Sequence, residues 1–158
     1  MVEKEIRKDK IEYYLSISLE VSKRATCLRR KYGAIIVKND EIISTGYNGA
    51  PRGVEDCLQR GVCKREELNI PSGERYELCR SVHAEQNAII SAARKDTIGS
   101  TLYLSGIDSK TGEVLDTPEP CMLCKRFIIN AGIEKVVMKR KDGYIIEYPQ
   151  EWIDKDLI

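Results

Sequence analysis

The stretch SVHAE at residues 81–85 and the distant stretch PCMLC at residues 120–124 decide how this chain is expected to fold. His83 is the only histidine in the sequence, and it stands two residues before Glu85 at a predicted helix start. A single histidine is more often a satisfied structural residue than a metal ligand. The first stretch alone is therefore weak support for a catalytic site.

The second stretch places two cysteines in the first turn of another predicted helix. Because Cys121 and Cys124 are three positions apart, their sulfurs lie on one helix face, near the positive end of the helix dipole. Two thiolates and the imidazole of His83 are the protein ligands of a catalytic zinc site whose fourth position is left to water. Glu85 is then free to accept a proton from that water. A CxxC pair alone is also typical of redox sites and structural zinc clips, but the combination favours the catalytic site.

Four further cysteines are left over once these ligands are assigned. Four thiolates are what a closed tetrahedral zinc site requires, so their number favours a second, structural zinc ion. Such a site would staple the long connection of residues 49–80 to the end of the first helix. The alternative is four separate buried thiols that act as small hydrophobic side chains. The four residues are Cys27, Cys57, Cys63 and Cys79.

The composition indicates one domain, residues 1–158, of a near-neutral protein. Charged residues make up 32% of the chain and the formal net charge is +1, which argues against a polynucleotide as the main partner. The N-terminal residues lack the apolar core of a signal peptide, and no apolar run is long enough to cross a membrane. We therefore expect a cytoplasmic protein, in which six cysteines are better explained by metal than by disulfides.

Apolar periodicity and turn residues predict alternating helices and strands, which fit an α/β sandwich. A first helix is expected within residues 9–28, with Gly33 ending it. A second helix is expected over residues 81–95, with Ser81 as its N-cap. The other predicted elements are a helix that Pro120 opens and Gly132 closes, strands at 34–37, 42–45, 101–105 and 135–139, and a strand and short helix within the tail at 144–158.

The stretch GYNGAP at residues 46–51 follows the predicted second strand. Its glycines, Asn48 and Pro51 are typical of a turn that ends strand pairing. A second interpretation is a loop that brings the backbone and the Asn48 amide close to a ligand. The residue types alone favour the turn.

At these motifs the chain resembles the deoxycytidylate (dCMP) deaminases of the zinc-dependent cytidine deaminase superfamily. The resemblance extends over about residues 10–140. The HAE and PCxxC motifs are specific to the superfamily, and the GYNGxP motif points to its deoxycytidylate branch. The matching stretches are GAIIV at 33–37, GYNGAP at 46–51, HAEQNAI at 83–89, PCMLC at 120–124 and INAGI at 129–133.

The resemblance implies a fold and a reaction. The fold is a three-layer α/β/α sandwich with a mixed five-stranded sheet. The reaction is the hydrolysis of dCMP to dUMP and ammonia, which supplies dUMP for dTMP synthesis. The implied site residues are the zinc ligands His83, Cys121 and Cys124, the proton carrier Glu85, and the substrate contacts Asn48 and Ala84.

The resemblance also extends to a structural zinc ion that some relatives carry. Cys27 and Cys57 match two of its ligands, while Cys63 and Cys79 replace ligands that are histidines elsewhere. Many relatives are hexamers regulated by dCTP and dTTP, so a homo-oligomer and these effectors are expected here. A small nucleotide is the expected substrate, and neither a membrane nor a nucleic acid is expected as a partner.

The segment of residues 105–119 is longer than the corresponding connection in the family, which leaves the substrate preference open. One alternative is a related deaminase that acts on a nucleoside, guanine or a tRNA adenosine. Another is a non-catalytic zinc module. The 5′-phosphate of a nucleotide requires cationic or N–H donors. The candidates are Arg29, Arg30, Arg52 and Arg75, and the sequence favours none of them.

Overall fold

One mixed sheet forms the centre of the computed structural model, which describes residues 2–4 and 6–158. Its strands are β1 (Arg30–Lys38), β2 (Glu41–Tyr47), β3 (Thr101–Asp108), β4 (Lys135–Arg140) and β5 (Gly143–Glu147). They lie in the order β2-β1-β3-β4-β5; β3 and β4 are parallel, and the other neighbours are antiparallel. The predicted mixed five-stranded sheet is confirmed.

Helices cover both faces of this sheet, as predicted for a three-layer sandwich. They are α1 (Lys10–Ser22), α2 (Cys57–Arg60), α3 (Lys64–Glu67), α4 (Ala84–Ile90), α5 (Arg94–Thr97), α6 (Met122–Asn130) and α7 (Pro149–Asp154), with a 3₁₀ turn at Tyr76–Leu78. The strand and short helix expected in the tail correspond to β5 and α7. Within residues 2–4 and 6–158, none of the helices has the length and apolar character needed to span a membrane.

The two faces of β1 contribute to two separate hydrophobic cores. Ala34 and Ile36 pack with residues of α4, α6 and α7 in the larger core. Ile35 and Val37 lie on the opposite face, where they pack against α1. Because both faces are covered, β1 is a continuous apolar run rather than an alternating one. Ala84, a predicted substrate contact that lies between His83 and Glu85 in the chain, packs in the larger core.

The role predicted for Gly33 was wrong. Helix α1 begins after the N-cap Asp9 and ends at Ser22, well before Leu28. Gly33 instead lies within β1, where a Cβ atom would collide with backbone atoms of Ser18 and Ser22 in α1. The glycine therefore lets the first helix pack directly on the sheet, a close approach that only this residue type permits.

The predicted helix over residues 81–95 is also shorter than expected, and Ser81 is not its N-cap. Val82 pairs with Gly49 in an isolated antiparallel bridge, which holds the approach to the helix in an extended conformation. His83 is the N-cap residue, with its backbone extended at φ −73° and ψ 156°. Helix α4 therefore starts later, and α5 follows as a separate turn.

The long connection of residues 49–80 contains α2, α3 and the 3₁₀ turn rather than a structureless loop. A capping box between Asp56 and Gln59 begins α2. The buried guanidinium of Arg65 donates hydrogen bonds to the carbonyl groups of Pro71 and Glu74 at 2.7–3.0 Å. One arginine thus satisfies the backbone of the following turn and shapes the end of this connection.

Candidate active site and metal centre

Two helix starts bring the three predicted zinc ligands together. His83 is the N-cap of α4, Cys121 is the N-cap of α6, and Cys124 lies fully buried in the first turn of α6. The His83 Nδ1 atom is 3.5 Å from the Cys121 Sγ atom and 3.3 Å from the Cys124 Sγ atom. All three donor atoms lie within 4.8 Å of one another.

These distances fit a tetrahedral zinc ion. Zinc–sulfur bonds of about 2.3 Å and zinc–nitrogen bonds of about 2.05 Å place two tetrahedral donors about 3.6 Å apart. The observed sulfur–nitrogen distances of 3.3 and 3.5 Å are close to that value. Within the described ranges, no fourth side chain joins the group, and Glu85 lies outside it. The donor set therefore matches an open zinc site.

The three donors are already electrostatically coupled. Hydrogen bonding from Cys124, and then from His83, lowers the pKa of the Cys121 thiol to about 4. The hydrogen bond between Cys124 and Cys121 raises the pKa of the Cys124 thiol, so Cys124 is the sulfur that keeps its proton. The hydrogen bond between His83 and Cys121 raises the pKa of the His83 imidazole. Metal binding requires thiolates and a neutral imidazole, so it is expected to release the protons that these groups hold.

Glu85 is the buried acid of the site. It is the second residue of α4 and only 5% of it is exposed. Burial raises the pKa of its carboxyl group, and the positive charge of His83 partly opposes that shift. A carboxyl group whose pKa is raised above its ordinary value is suited to accept and return a proton.

A cavity of about 190 Å³ opens over these residues. Seven of the ten predicted site residues line it: Asn48, His83, Ala84, Glu85 and Cys121, together with Cys27 and Cys79 of the predicted second metal site. Sequence reasoning missed Tyr32, Tyr76 and Glu119, which also line it. The alternation of side chains along a strand could have identified Tyr32, because it lies two positions before Ala34 and therefore on the same face of β1.

Asn48 was expected either in a simple turn or in a loop close to a ligand, and the structure shows features of both. Its side chain is buried and lines the cavity. The Oδ1 atom accepts a hydrogen bond from the Tyr32 amide at 2.7 Å, and the Nδ2 atom donates to the Arg30 carbonyl at 3.0 Å. The amide therefore fixes the beginning of β1 at the cavity wall. Its role as a substrate contact stays a prediction.

The other four cysteines form a looser group. Burial raises the pKa of Cys57, and the charges of Cys27, Cys63 and Cys79 raise it further, which places all three near it. In the part of the chain that the structure describes, however, no three of these sulfurs lie within 4.8 Å of one another. All four thiols are free of disulfide bonds. A second zinc site at these residues stays a prediction.

A family model for the cytidine and deoxycytidylate deaminase zinc-binding region matches residues 8–140. The chain belongs to this family. Zinc is therefore its metal cofactor, and the group of one histidine and two cysteines is the donor set on which the ion is expected. The predicted family is confirmed by this match.

Individual relatives agree with the family model. A deoxycytidylate deaminase of Mycobacterium phage D29 is 37% identical over 140 residues, which cover 85% of this chain and 98% of the relative. A deoxycytidylate deaminase of Schizosaccharomyces pombe is 33% identical over 125 residues, 79% of this chain but only 35% of the relative. The dCMP deaminase of cyanophage S-TIM5, solved with dCMP and dUMP, is 28% identical with a TM-score of 0.58, and 85% of each chain is covered.

Proposed function

We propose that this chain is a zinc-dependent hydrolase that deaminates dCMP to dUMP and ammonia. Its relatives in a phage and in a yeast are named deoxycytidylate deaminases. The structurally similar cyanophage enzyme was solved with dCMP and dUMP, the proposed substrate and product. No finding favours a nucleoside deaminase or a non-catalytic zinc module over this activity.

The observation that carries the proposal is the open donor set beside a buried acid. A closed structural zinc site has four protein ligands and does not need a carboxyl group next to it. Here three donors gather at two helix starts, and Glu85 lines the same cavity as His83 and Cys121. This arrangement leaves room for a water molecule and for a planar base.

The chain's own residues account for the proton transfers. Zinc, when held by His83, Cys121 and Cys124, supplies Lewis acidity that lowers the pKa of water towards about 7. With zinc bound, the carboxylate of Glu85 would take a proton from water as the water oxygen adds to C4, and would give that proton to the ring nitrogen N3. It would then carry the proton of the new C4 hydroxyl to the amine, so that the C4–N bond breaks, ammonia leaves and the C4 carbonyl forms. Burial of Glu85 supports this role because it raises the pKa of the carboxyl group and so favours the protonated form that donates to the substrate.

The test is ammonia release from dCMP, deoxycytidine, cytidine and dCTP by the zinc-loaded protein and by Glu85→Gln. We expect turnover of dCMP, and a loss of kcat of about 10²- to 10⁴-fold in the variant because its amide cannot carry the proton. Zinc content should be unchanged, since Glu85 lies outside the donor group. Near-normal turnover by the variant would contradict the role of Glu85, and a wild-type protein inactive on dCMP would contradict the proposed substrate.

A second zinc ion is also proposed, bound by the thiolates of Cys27, Cys57, Cys63 and Cys79. The charges of Cys27, Cys63 and Cys79 act on Cys57, which supports this site because four thiolates are the ligands of a structural zinc ion. Zinc binding would require the four sulfurs to move closer together. Metal analysis should then find two zinc ions per chain, and one ion would contradict this site. A single domain over residues 1–158, homo-oligomeric assembly, dCTP or dTTP regulation and a cytoplasmic location stay predictions.

A further inference from the structure

We propose that Tyr76 is a substrate-binding residue whose aromatic ring packs against the pyrimidine ring of the substrate, and that the buried Arg65 holds this ring in place. The inference rests on the proposed function, because it concerns the base that the site would deaminate. It gives a role to the long connection of residues 49–80, which contains both side chains.

Tyr76 lies beside the metal donors. Its ring and the imidazole of His83 form an edge-to-face pair, with ring centroids 6.1 Å apart and an angle of 90° between the two planes. This centroid distance is within the range of interacting aromatic pairs. Tyr76 lines the same cavity as His83, Glu85 and Cys121, and 39% of it is exposed. An aromatic side chain is therefore present at the cavity wall next to the position where C4 of the base has to lie.

A second tyrosine shows that the phenol of Tyr76 points towards the sheet side of the cavity. Tyr32 lies on β1 and also lines the cavity. Burial raises the pKa of the Tyr32 phenol, and the charges of Glu85 and Tyr76 raise it further. Since such effects are strong only over short distances, Tyr76 lies near Tyr32. The two tyrosines therefore bound the cavity from two different elements, the first strand and the long connection.

The guanidinium of Arg65 holds the ring of Tyr76. The Arg65 Cζ atom lies over the ring, 4.9 Å from its centroid. The Arg65 Nε and Nη2 atoms donate hydrogen bonds to the carbonyl groups of Pro71 and Glu74 at 2.7–3.0 Å. Arg65 is only 7% exposed, so it contacts the ring away from bulk water, where a cation–π interaction is strongest. The hydrogen bonds fix the guanidinium, and the guanidinium fixes the ring.

Two features of this segment are energetically unfavourable. Across residues 2–4 and 6–158, no carboxylate oxygen lies within 4.0 Å of the Arg65 guanidinium, although burying a positive charge without a carboxylate is costly. Arg75, directly before Tyr76, has a left-handed backbone at φ 52° and ψ 50°, which is unfavourable for a residue with a Cβ atom. Backbone strain of this kind clusters at ligand sites, so it supports a functional role for the turn.

The reaction requires the base to be held as well as attacked. C4 has to lie next to the metal position that His83, Cys121 and Cys124 define, so the pyrimidine ring comes within reach of the aromatic ring that pairs with His83. Aromatic side chains bind bases through their π-faces and need no hydrogen bond to do so. Tyr76 is therefore expected to contribute to binding, whereas Glu85 carries the proton.

The experiment measures kcat and KM for dCMP and deoxycytidine with the zinc-loaded wild type, Y76A, Y76F and the control Y13A. Loss of the ring in Y76A should raise KM for both substrates by ~5- to 10²-fold, as expected for one lost base-stacking contact, and should change kcat less. Y76F keeps the ring and should behave as wild type. Y13A should also behave as wild type, because Tyr13 is an exposed ring on α1 that pairs with Tyr14 outside the cavity. Zinc content should be unchanged, and a lower content in Y76A would place its effect on His83 instead of the base.

A double-mutant cycle tests Arg65 as a positioning residue. R65M should raise KM for both substrates, because the ring is no longer held. The KM values of R65M/Y76A should equal those of Y76A, since Arg65 acts through the ring. A double variant in which the two separate rises multiply would show that Arg65 acts independently, and would overturn its role as the support of Tyr76.

Calorimetric titration with dUMP separates the possible failures. If the wild type deaminates dCMP and Y76A keeps its KM and its dUMP affinity, the assignment of Tyr76 is wrong and the proposed function stands. If the wild type does not deaminate dCMP but binds dUMP more tightly than Y76A does, the proposed function is wrong and the base-binding role stands. A loss in Y76F as large as that in Y76A would also overturn the assignment, because the hydroxyl group rather than the ring would then be responsible. A rise in KM for dCMP but not for deoxycytidine would do the same, because it would point to the phosphate rather than the base.

Discussion

The chain contains two groups of metal-ligating side chains that differ in how they are held. At the candidate catalytic site, the donors of His83, Cys121 and Cys124 already lie within 4.8 Å of one another. In the second group, Cys57 has three thiols nearby, yet no three of the sulfurs in the described residues are that close. The residue types are equally suitable for zinc in both groups, so the difference must come from the backbone that carries them.

The catalytic donors lie at the starts of α4 and α6, two helices whose positions are fixed by contacts with the sheet and the core. The bridge between Val82 and Gly49 fixes the entry to α4, and the buried Ile128 anchors α6 in the larger core. The second group stands on four-residue helices and turns: Cys57 begins α2, and Cys63 is the N-cap of α3. Helices this short have little stability of their own. The comparison indicates that packing builds one site in advance, whereas zinc binding closes the other.

The largest expected effect separates the two groups by single substitutions. Cys124→Ala removes a catalytic ligand and should lower activity by at least ~10²-fold, a loss already seen when only outer residues of a zinc site are changed. Cys57→Ala should keep most of the activity at low temperature but lower the free energy of unfolding by about 4 kcal/mol, as expected for a lost metal site. Ammonia release, zinc content and urea denaturation check both. Equal loss of activity in the two variants would show that the sites form one unit.

A second pair of variants tests how the sheet positions the catalytic donors. A Cβ atom at Gly46 of β2 would collide with backbone atoms of Ala84 and Ala88 in α4. Gly46→Ala should therefore displace α4, cost about 1–3 kcal/mol of stability through overpacking, and lower kcat. Gly33→Ala is the matched control, because it collides with α1 on the opposite face. Denaturation and ammonia release should show similar destabilisation but normal kcat in the control, and a normal kcat in Gly46→Ala would argue against this role of β2.

Much of the preformed site was predictable because its signals are local or periodic. The spacing of His83, Glu85 and the CxxC pair predicts the zinc ligands, and β-branched runs between turn residues predict the strands. Errors arose where a distant segment overrides a local preference. Ser81 is a good N-cap by residue type, but the pairing of Val82 with Gly49 keeps that stretch extended. The role of Gly33 depends on how closely α1 approaches, and no local pattern encodes that distance.

The cavity wall was harder to predict for a related reason. Tyr76 reaches it from the 3₁₀ turn after a connection with no regular period, and Glu119 reaches it from the long segment before α6. The spacing of the four remaining cysteines carries no geometric information, so only their number favoured a metal site. The sequence pattern is therefore a better predictor of the catalytic site, which packing positions, than of the second site, which depends on zinc binding.

The smallest expected effect tests whether the two regions influence each other through Ser109. Ser109 donates hydrogen bonds to the carbonyls of Cys27 and Arg29, so it joins the second cysteine group to Arg29, a candidate arginine for the 5′-phosphate that lines the cavity. Ser109→Ala removes the side-chain hydrogen bond, worth about 0.5–1.5 kcal/mol, and keeps the bond from the backbone amide. We expect KM for dCMP to rise by ~2- to 10-fold, with kcat and KM for deoxycytidine unchanged.

Ser16→Ala is the control for this change, since the hydroxyl of Ser16 donates to the Glu12 carbonyl at the exposed surface of α1. An unchanged KM for dCMP in Ser109→Ala would mean that the cysteine group and the cavity are independent. A rise in KM accompanied by lower zinc content would place the effect at the second metal site instead. Because the Ser109 hydroxyl contacts the Cys27 carbonyl rather than its sulfur, we expect the zinc content to stay constant. A change confined to KM would then show that the looser region acts on the preformed site by positioning Arg29.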